Sequence, residues 1–481
     1  MTQFIEKVSH LVSRAVANNT WRQHHCLNLI PSETTPSLLV KMCEISDPAG
    51  RYAEHRTMKG REVYFYQGTD FIRDVEIECQ AAMGEFFGCS QAELRPISGQ
   101  MANEVVFKGV TKFLNKRDNT EFRRIRAVMN NDLGKGGHLS SQPMGALFNY
   151  VDPDPASKKE NCINFPIQAG NPYRIDVPKL LEIVHDAKPE LVVFGKSMFI
   201  CPEPVREFYN VVKDWENRPI IMFDMAHVLG LYGAFQTPLQ EGADIVTGST
   251  HKTFFGPQRG VIVSNFDKNH PFRPLWVEIK SRAFPGSTSN HHLGTLLALL
   301  MATHEMNEFK TEYQTQVCRN ARAFAQALVR AGMTVEGDAS EGYTHTHQVL
   351  LRVIQHGDGE AIARRLEENN IVCNYQALPD DETFLKSSGL RLGVQEMTRY
   401  GMVESDFDAI AGFIADVVIR NANVRQAVSD FRRKFLIQTF CLPAKQSLEF
   451  GAQLLATVLP SSTYATEFAN NLHSLAHTLP A

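Results

Sequence analysis

The chain has 481 residues, of which 43% are hydrophobic, 21% charged and 9% aromatic, a balance that fits one to three folded domains and excludes a disordered polypeptide. Lys and Arg total 49 against 53 Asp and Glu, for a net charge of -4, so there is no basic footprint for nucleic acid. The longest apolar stretch, Leu293 to Ala302, is interrupted by Gly294 and Thr295 and has about half the length of a membrane span.

At the N-terminus Phe4, Ile5, Val8, Leu11, Val12, Ala15 and Val16 recur at helical spacing, which predicts an amphipathic helical arm over 1–24 rather than a continuous apolar secretion signal. Next come short, apolar, unalternating runs, Arg126–Met129, Leu191–Phe194, Ile220–Phe223, Asp244–Thr247 and Val261–Val263. Such runs suit strands covered on both faces. With helical patterns such as Met101–Leu114 and Val177–His185 among them, they predict an α/β domain with a mainly parallel sheet over 25–293. From Gly294 to about Ala331 one long connecting helix is expected. A smaller α+β domain follows within 294–481, with strands at Val349–Ile354, Ile371–Asn374 and Leu390–Leu392, helices at Glu360–Asn369 and Phe407–Val418, and a helical tail after Ser429. The nine cysteines form no CxxC pair and fit reduced thiols in a cytoplasmic protein.

The chemistry concentrates in PIIMFDMAHVLGLYGAF and ADIVTGSTHKTFFGPQRG. Asp224 ends one apolar strand, with His227 three residues on; the next strand ends in Ser249-Thr250-His251-Lys252. Ligands of open α/β sheets sit where the carboxyl ends of strands converge. A strand-end lysine beside a strand-end carboxylate suits pyridoxal phosphate, which needs an amine for its aldehyde and an anion to keep its ring nitrogen protonated. Ser98-Gly99-Gln100 leads into a helix whose free N–H groups could receive a phosphate, although any capped helix start looks alike. The adjacent pairs His24-His25 and His291-His292 lack the i, i+4 spacing of zinc peptidases, and no metal is expected.

The segments DMAHVLGL, THK, NLIPSE (Asn28 to Glu33), RYAE (Arg51 to Glu54) and SGLRLG (Ser388 to Gly393) resemble those of serine hydroxymethyltransferases, in order over roughly residues 25 to 420. The resemblance implies a fold-type I pyridoxal-phosphate transferase of the aspartate aminotransferase-like architecture, acting on a small amino acid as a homodimer or a dimer of dimers. It implies that Lys252 carries the cofactor, Asp224 faces the ring nitrogen, His227 bonds the ring oxygen and His138 stacks on the ring. Ser98, Gly99, Gln100, Ser197, Ser249 and His251 are implied as cofactor neighbours. Arg391, with Ser32, is implied to hold the substrate carboxylate by a two-point contact. Glu54 would serve as the acid–base carboxyl, Tyr66 would lie near the lysine, and Tyr52, Glu54, Gly286 and Ser287 would reach the site across a subunit interface.

Leu133, Gly137 and Leu139 match folate-lining positions, and tetrahydrofolate is the implied co-substrate. Other positions depart from the family pattern: Phe65 stands for a second tyrosine, Gln376 for a folate-contacting asparagine, Gln258 for an arginine, Ser287 for a glycine, and GVQEMT (Gly393 to Thr398) for the usual G-T-P-A-x-T. THTHQV and GVQEMT are similar to threonine transaldolase segments, so the alternative is a threonine transaldolase or aldolase that adds another aldehyde to a glycyl carbanion. A pyridoxal-phosphate-binding scaffold without catalysis is the alternative of another class; the intact Lys252, Asp224, His138 and Arg391 oppose it.

Overall fold

The computed structural model describes residues 1–383 and 386–475; residues 476–481 of the expected tail lie outside them. The chain divides into two compact units, Ser32–Thr315 with Cys441–Val458, and Met1–Pro31 with Gln316–Phe440 and Leu459–Ala481.

The first unit is built on a seven-stranded sheet in the spatial order Gln91–Glu93, Gly260–Ser264, Ile245–Ser249, Ile220–Asp224, Leu191–Phe194, Val128–Asn130, Cys162–Asn164. The last five pair in parallel, whereas Gly260–Ser264 and Gln91–Glu93 add antiparallel at one edge. Every residue of the strands Leu191–Phe194, Ile220–Asp224 and Ile245–Ser249 is buried, which explains why these stretches read as unbroken apolar runs. On one face, Val106 and Val110 of the helix Gly99–Arg117 pack with Leu275, Trp276 and Ile279 of Arg273–Ala283. Each such side chain contributes about 1.5–3 kcal/mol by leaving water.

The same unit holds an antiparallel hairpin that the sequence reading passes over, His55–Met58 with Arg61–Tyr64. Its two-residue turn, Lys59-Gly60, has φ of 50° and 77°, the left-handed pair that matches strand twist.

The second unit carries a four-stranded antiparallel sheet in the order Thr334–Val335, Gln348–Arg352, Gly389–Gly393, Asn374–Gln376, with the helices Gly359–Glu368 and Glu404–Val418. The expected strand Ile371–Asn374 is two pieces. Ile371–Val372 pairs in parallel with Leu27–Asn28, and Asn374–Gln376 pairs with Gly389–Gly393, so the chain changes partner in mid-run.

The expected single helix after Gly294 is also two, Leu293–Glu308 and Lys310–Arg330, parted at Phe309 (φ -102°, ψ 12°). The break falls where burial changes character. Leu293, Leu296, Ala298, Leu299 and Leu300 bury most sides of the first helix, whereas the second buries the narrow stripe Tyr313, Val317, Ala321, Phe324 and Leu328. The N-terminal helix, Thr2–Thr20, buries no side chain. Among the described residues no helix is long and apolar enough to cross a membrane.

Candidate active site

Four parallel strands deliver the predicted residues at their carboxyl ends. Val128–Asn130 runs on to His138, Leu191–Phe194 to Ser197, Ile220–Asp224 to Asp224 and His227, and Ile245–Ser249 to Ser249, His251 and Lys252. Asp224 is in register with Thr247 on the neighbouring strand. The Lys252 amine lies 3.4 Å from His227 Nε2, and the lysine is 9% exposed. Its backbone carbonyl accepts a hydrogen bond from the Thr34 hydroxyl at 2.5 Å. Gly195, φ 121°, follows the strand beside Asp224; a Cβ there would sit 2.2 Å from the Asp224 carbonyl oxygen, so the close approach requires glycine.

Asp224 is 1% exposed. Its Oδ2 accepts from His138 Nδ1 at 2.5 Å and from Asn103 Nδ2 at 2.8 Å, and its Oδ1 accepts from the Ala226 N–H at 3.0 Å. Burial opposes the charge, but His138, the Ala226 N–H and Asn103 together outweigh it and hold the carboxyl below its ordinary value. Asn103 is fully used: it also donates to Ser140 Oγ at 2.7 Å and accepts from Thr247 Oγ1 at 2.6 Å. Sequence reasoning misses Asn103, although it lies in SGQMAN. The available signal was one amide among the apolar Ala102, Val105 and Val106, a helical position that faces the sheet. The His138 and His227 rings meet edge to face, centroids 5.4 Å apart. Burial and the neighbouring Lys252 pull His251 down to about 4, so its imidazole is neutral.

Ser98 caps the helix Gly99–Arg117 with its hydroxyl, 3.1 Å from the Met101 N–H. A Cβ on Gly99 would stand 2.2 Å from Ser249 Oγ, so the helix start closes directly on the end of the lysine strand, while Gln100 is exposed. Ser197 Oγ donates to the Gly136 and Gly137 carbonyls at 3.3 and 3.2 Å. Leu133 is half-buried and Leu139 exposed on the same loop system.

Tyr52, Glu54 and Tyr66 flank the hairpin. The Tyr52 and Tyr66 rings lie 5.2 Å apart. Partial desolvation and the Glu54 carboxylate, to which it hydrogen-bonds, push the Tyr66 phenol upward. Gly286 O and Ser287 Oγ meet Lys108 Nζ at 3.4 and 3.0 Å. Ser32 begins the first unit.

Arg391 belongs to the second unit, in mid-strand opposite Leu350 and Asn374. Its Nε faces Asn374 Oδ1 at 3.4 Å, and burial pulls the guanidinium down to about 10. Gln376 lies on the neighbouring strand.

The donor set of the first unit fits pyridoxal phosphate: a buried amine, a carboxylate kept ionised by hydrogen bonds, two imidazoles, and a capped helix start against Ser249. Fold and donor set together define a fold-type I pyridoxal-phosphate enzyme. The family model for serine hydroxymethyltransferase matches residues 5–414, and the chain belongs to that family.

Among similar proteins, the serine hydroxymethyltransferase of Staphylothermus marinus is 35% identical over 443 residues, covering 91% of this chain and 93% of the relative. That of Saccharolobus islandicus is 36% identical over 452 residues, covering 92% and 96%. Among solved structures, the L-threonine transaldolase of Pseudomonas fluorescens, in its internal aldimine state, superposes with a TM-score of 0.78 at 26% identity, covering 94% of this chain and 99% of that one.

Proposed function

We propose that the chain cleaves and re-forms the Cα–Cβ bond of a β-hydroxy amino acid, interconverting serine and glycine with tetrahydrofolate as one-carbon acceptor. The observation that carries this reading is the buried Lys252 amine beside His227, with the ionised Asp224 on the adjacent strand. Pyridoxal phosphate, when bound, supplies the electron sink for the pair released at the substrate Cα.

Lys252 would hold the cofactor at its aldehyde carbon, water leaving as the bond forms. Asp224 would hold the proton on the ring nitrogen; with three hydrogen bonds already fixing its orientation, it reorganises little as charge moves. His138 and His227 would orient the ring, and Ser98, Gly99 and Ser249 would receive the phosphate at the helix start. Arg391, with Ser32, orients the substrate carboxylate in a planar fork. Glu54 moves the proton of the β-hydroxyl, and Tyr66 fixes the Glu54 carboxylate. Leu133, Gly137, Leu139 and Gln376 line the folate side. In this reading the protein is a cytoplasmic homodimer, its nine cysteines all free, and Tyr52, Glu54, Gly286 and Ser287 serve the neighbouring subunit's site.

The second reading, an L-threonine transaldolase, is favoured by the TM-score of 0.78 to that enzyme and by Phe65 and Gln376 on the folate side. Glycine formation from serine and from threonine, with and without tetrahydrofolate, separates the two. Folate-dependent turnover of serine supports the first. Folate-independent turnover of threonine with an added aldehyde, and none of serine, supports the second.

A further inference from the structure

His55, at the start of the first hairpin strand, is 7% exposed. Its Nδ1 is 2.6 Å from Glu62 Oε1 on the opposite hairpin strand. Its Nε2 is 2.9 Å from Glu76 Oε2 on the helix Asp70–Phe87. An ionised carboxylate only accepts, so each ring nitrogen carries a hydrogen and the ring is an imidazolium. The ring also stacks on Tyr64, its ladder partner, at 4.5 Å and 18°. Thr57 Oγ1 donates to the other Glu62 oxygen at 2.7 Å.

This clasp sits at the open end of the hairpin. Glu54 precedes His55 directly, its carbonyl accepts the Phe65 N–H at 3.0 Å, and Tyr66 is the next residue. Whatever fixes His55 against the helix therefore fixes the spacing between Glu54 and Tyr66. We propose that His55 is a positioning residue: as an imidazolium shared by Glu62 and Glu76 it fastens the hairpin to the helix Asp70–Phe87 and so holds Glu54 and Tyr66 in place for the reaction. The inference rests on the roles proposed above for those two residues.

The surroundings favour a proton over a metal ion. His55, Glu76 and His291 have the spacing of a three-ligand cation site. Arg259 Nη2, however, lies 3.2 Å from His291 Nδ1, and a guanidinium only donates. Burial and the Arg259 and Arg95 charges keep His291 neutral, so its one proton sits on Nε2 and leaves no lone pair for a metal. Arg95 is paired with Glu93 at 2.5 Å and also acts on Glu62 and Glu76; Arg259 acts on Glu76 and Lys280 on Glu62. His55 is the cation in direct hydrogen-bond contact with both carboxylates. Burial works against its charge, and the two carboxylates outweigh burial, setting its pKa above 6.5. The clasp is then complete below pH 6.5 and is lost as pH rises through the folded value.

The test uses the cofactor-loaded enzyme, assayed for serine and threonine cleavage from about pH 6 to about pH 9. His55→Gln is expected to lower kcat roughly 10-fold or more near neutral pH, the size of effect that small misplacements produce. KM and the absorbance of the lysine-bound cofactor stay near wild type, and the alkaline limb of kcat disappears. His55→Arg, which keeps the charge, is expected to restore most of kcat without that limb.

A His55→Gln enzyme with wild-type kcat and pH profile overturns the proposal, as does an arginine variant no better than the glutamine one. If His55→Gln does not fold, Glu62→Gln on the exposed hairpin strand replaces it; the alkaline limb should move to lower pH, and an unmoved limb counts against the clasp. Histidine NMR titration of the wild type gives a readout independent of turnover, and a His55 that titrates below 6.5 refutes the imidazolium. A wild-type chain that binds no pyridoxal phosphate refutes the proposed function instead, so the two failures are distinguishable.

Discussion

Replacing Asn103 with alanine tests how the central carboxylate is kept ionised. The side chain makes three buried hydrogen bonds: to Asp224 Oδ2 at 2.8 Å, to Ser140 Oγ at 2.7 Å and from Thr247 Oγ1 at 2.6 Å. A bond to a charged group is worth about 1.5–3 kcal/mol and a neutral one about 0.5–1.5 kcal/mol. Water entering the space recovers part of that sum, so the expected loss is about 3 kcal/mol. In a domain of this size such a loss lowers the melting temperature by roughly 5 °C or more.

The pH dependence follows from the sign of the shift. The Asp224 pKa is depressed in the folded protein, so its stabilising contribution is present above the unfolded value and is lost as pH falls through the folded value. The gap in melting temperature between wild type and Asn103→Ala should therefore be full at neutral pH and should narrow below about pH 4. Differential scanning calorimetry across that range, with pyridoxal phosphate titrated by absorbance at neutral pH, reads both effects. A variant that melts with the wild type and binds the cofactor equally well would show that Asn103 is not what keeps Asp224 charged.

Lys252→Ala should abolish the borohydride-trapped cofactor adduct, read by peptide mass, and lower turnover by about 10^2- to 10^4-fold. Arg391→Lys keeps a positive charge but loses the planar fork; kcat/KM for serine or threonine should fall roughly 10- to 100-fold, mainly through KM, and an unchanged KM counts against a carboxylate contact. His251→Gln should flatten the acid limb of stability. The folded histidine sits at about 4 against 6.5 unfolded, so the wild type loses stability as pH falls between those values and the variant should lose less over that window, as melting temperatures will show.

The parallel sheet was legible because burial on both faces forces unbroken apolar runs, and the strand ends were legible because Asp224 ends one such run abruptly and the polar Ser249-Thr250-His251-Lys252 closes the next. The hairpin His55–Tyr64 was not. Its residues from Arg56 to Val63 are exposed and mixed in character, and its turn is Lys59-Gly60 rather than the asparagine–glycine pair that usually marks a left-handed two-residue turn. Asn103 escaped because a single amide on a helix differs from a solvated one only in which way it faces. The helix break at Phe309 escaped because both flanking segments keep helical spacing, and only the change from all-round to one-sided burial marks the joint.

The partners of the buried carboxylates set Asp224 apart from three others of its unit. In the same unit Glu93 is paired with Arg95 at 2.5 Å, Asp244 with Arg218 at 2.7 Å and Glu203 with Lys196 at 3.2 Å. Each is 6% exposed or less, and each has the permanent cation that a charge withdrawn from water ordinarily needs. Asp224 is the most deeply buried of the four, yet its donors are a histidine, an amide and a backbone N–H. Those groups orient the carboxylate and keep it ionised. In the proposed reading, the protonated ring nitrogen of pyridoxal phosphate would be the permanent cation that meets Asp224, in the place that an arginine or lysine fills at the other three.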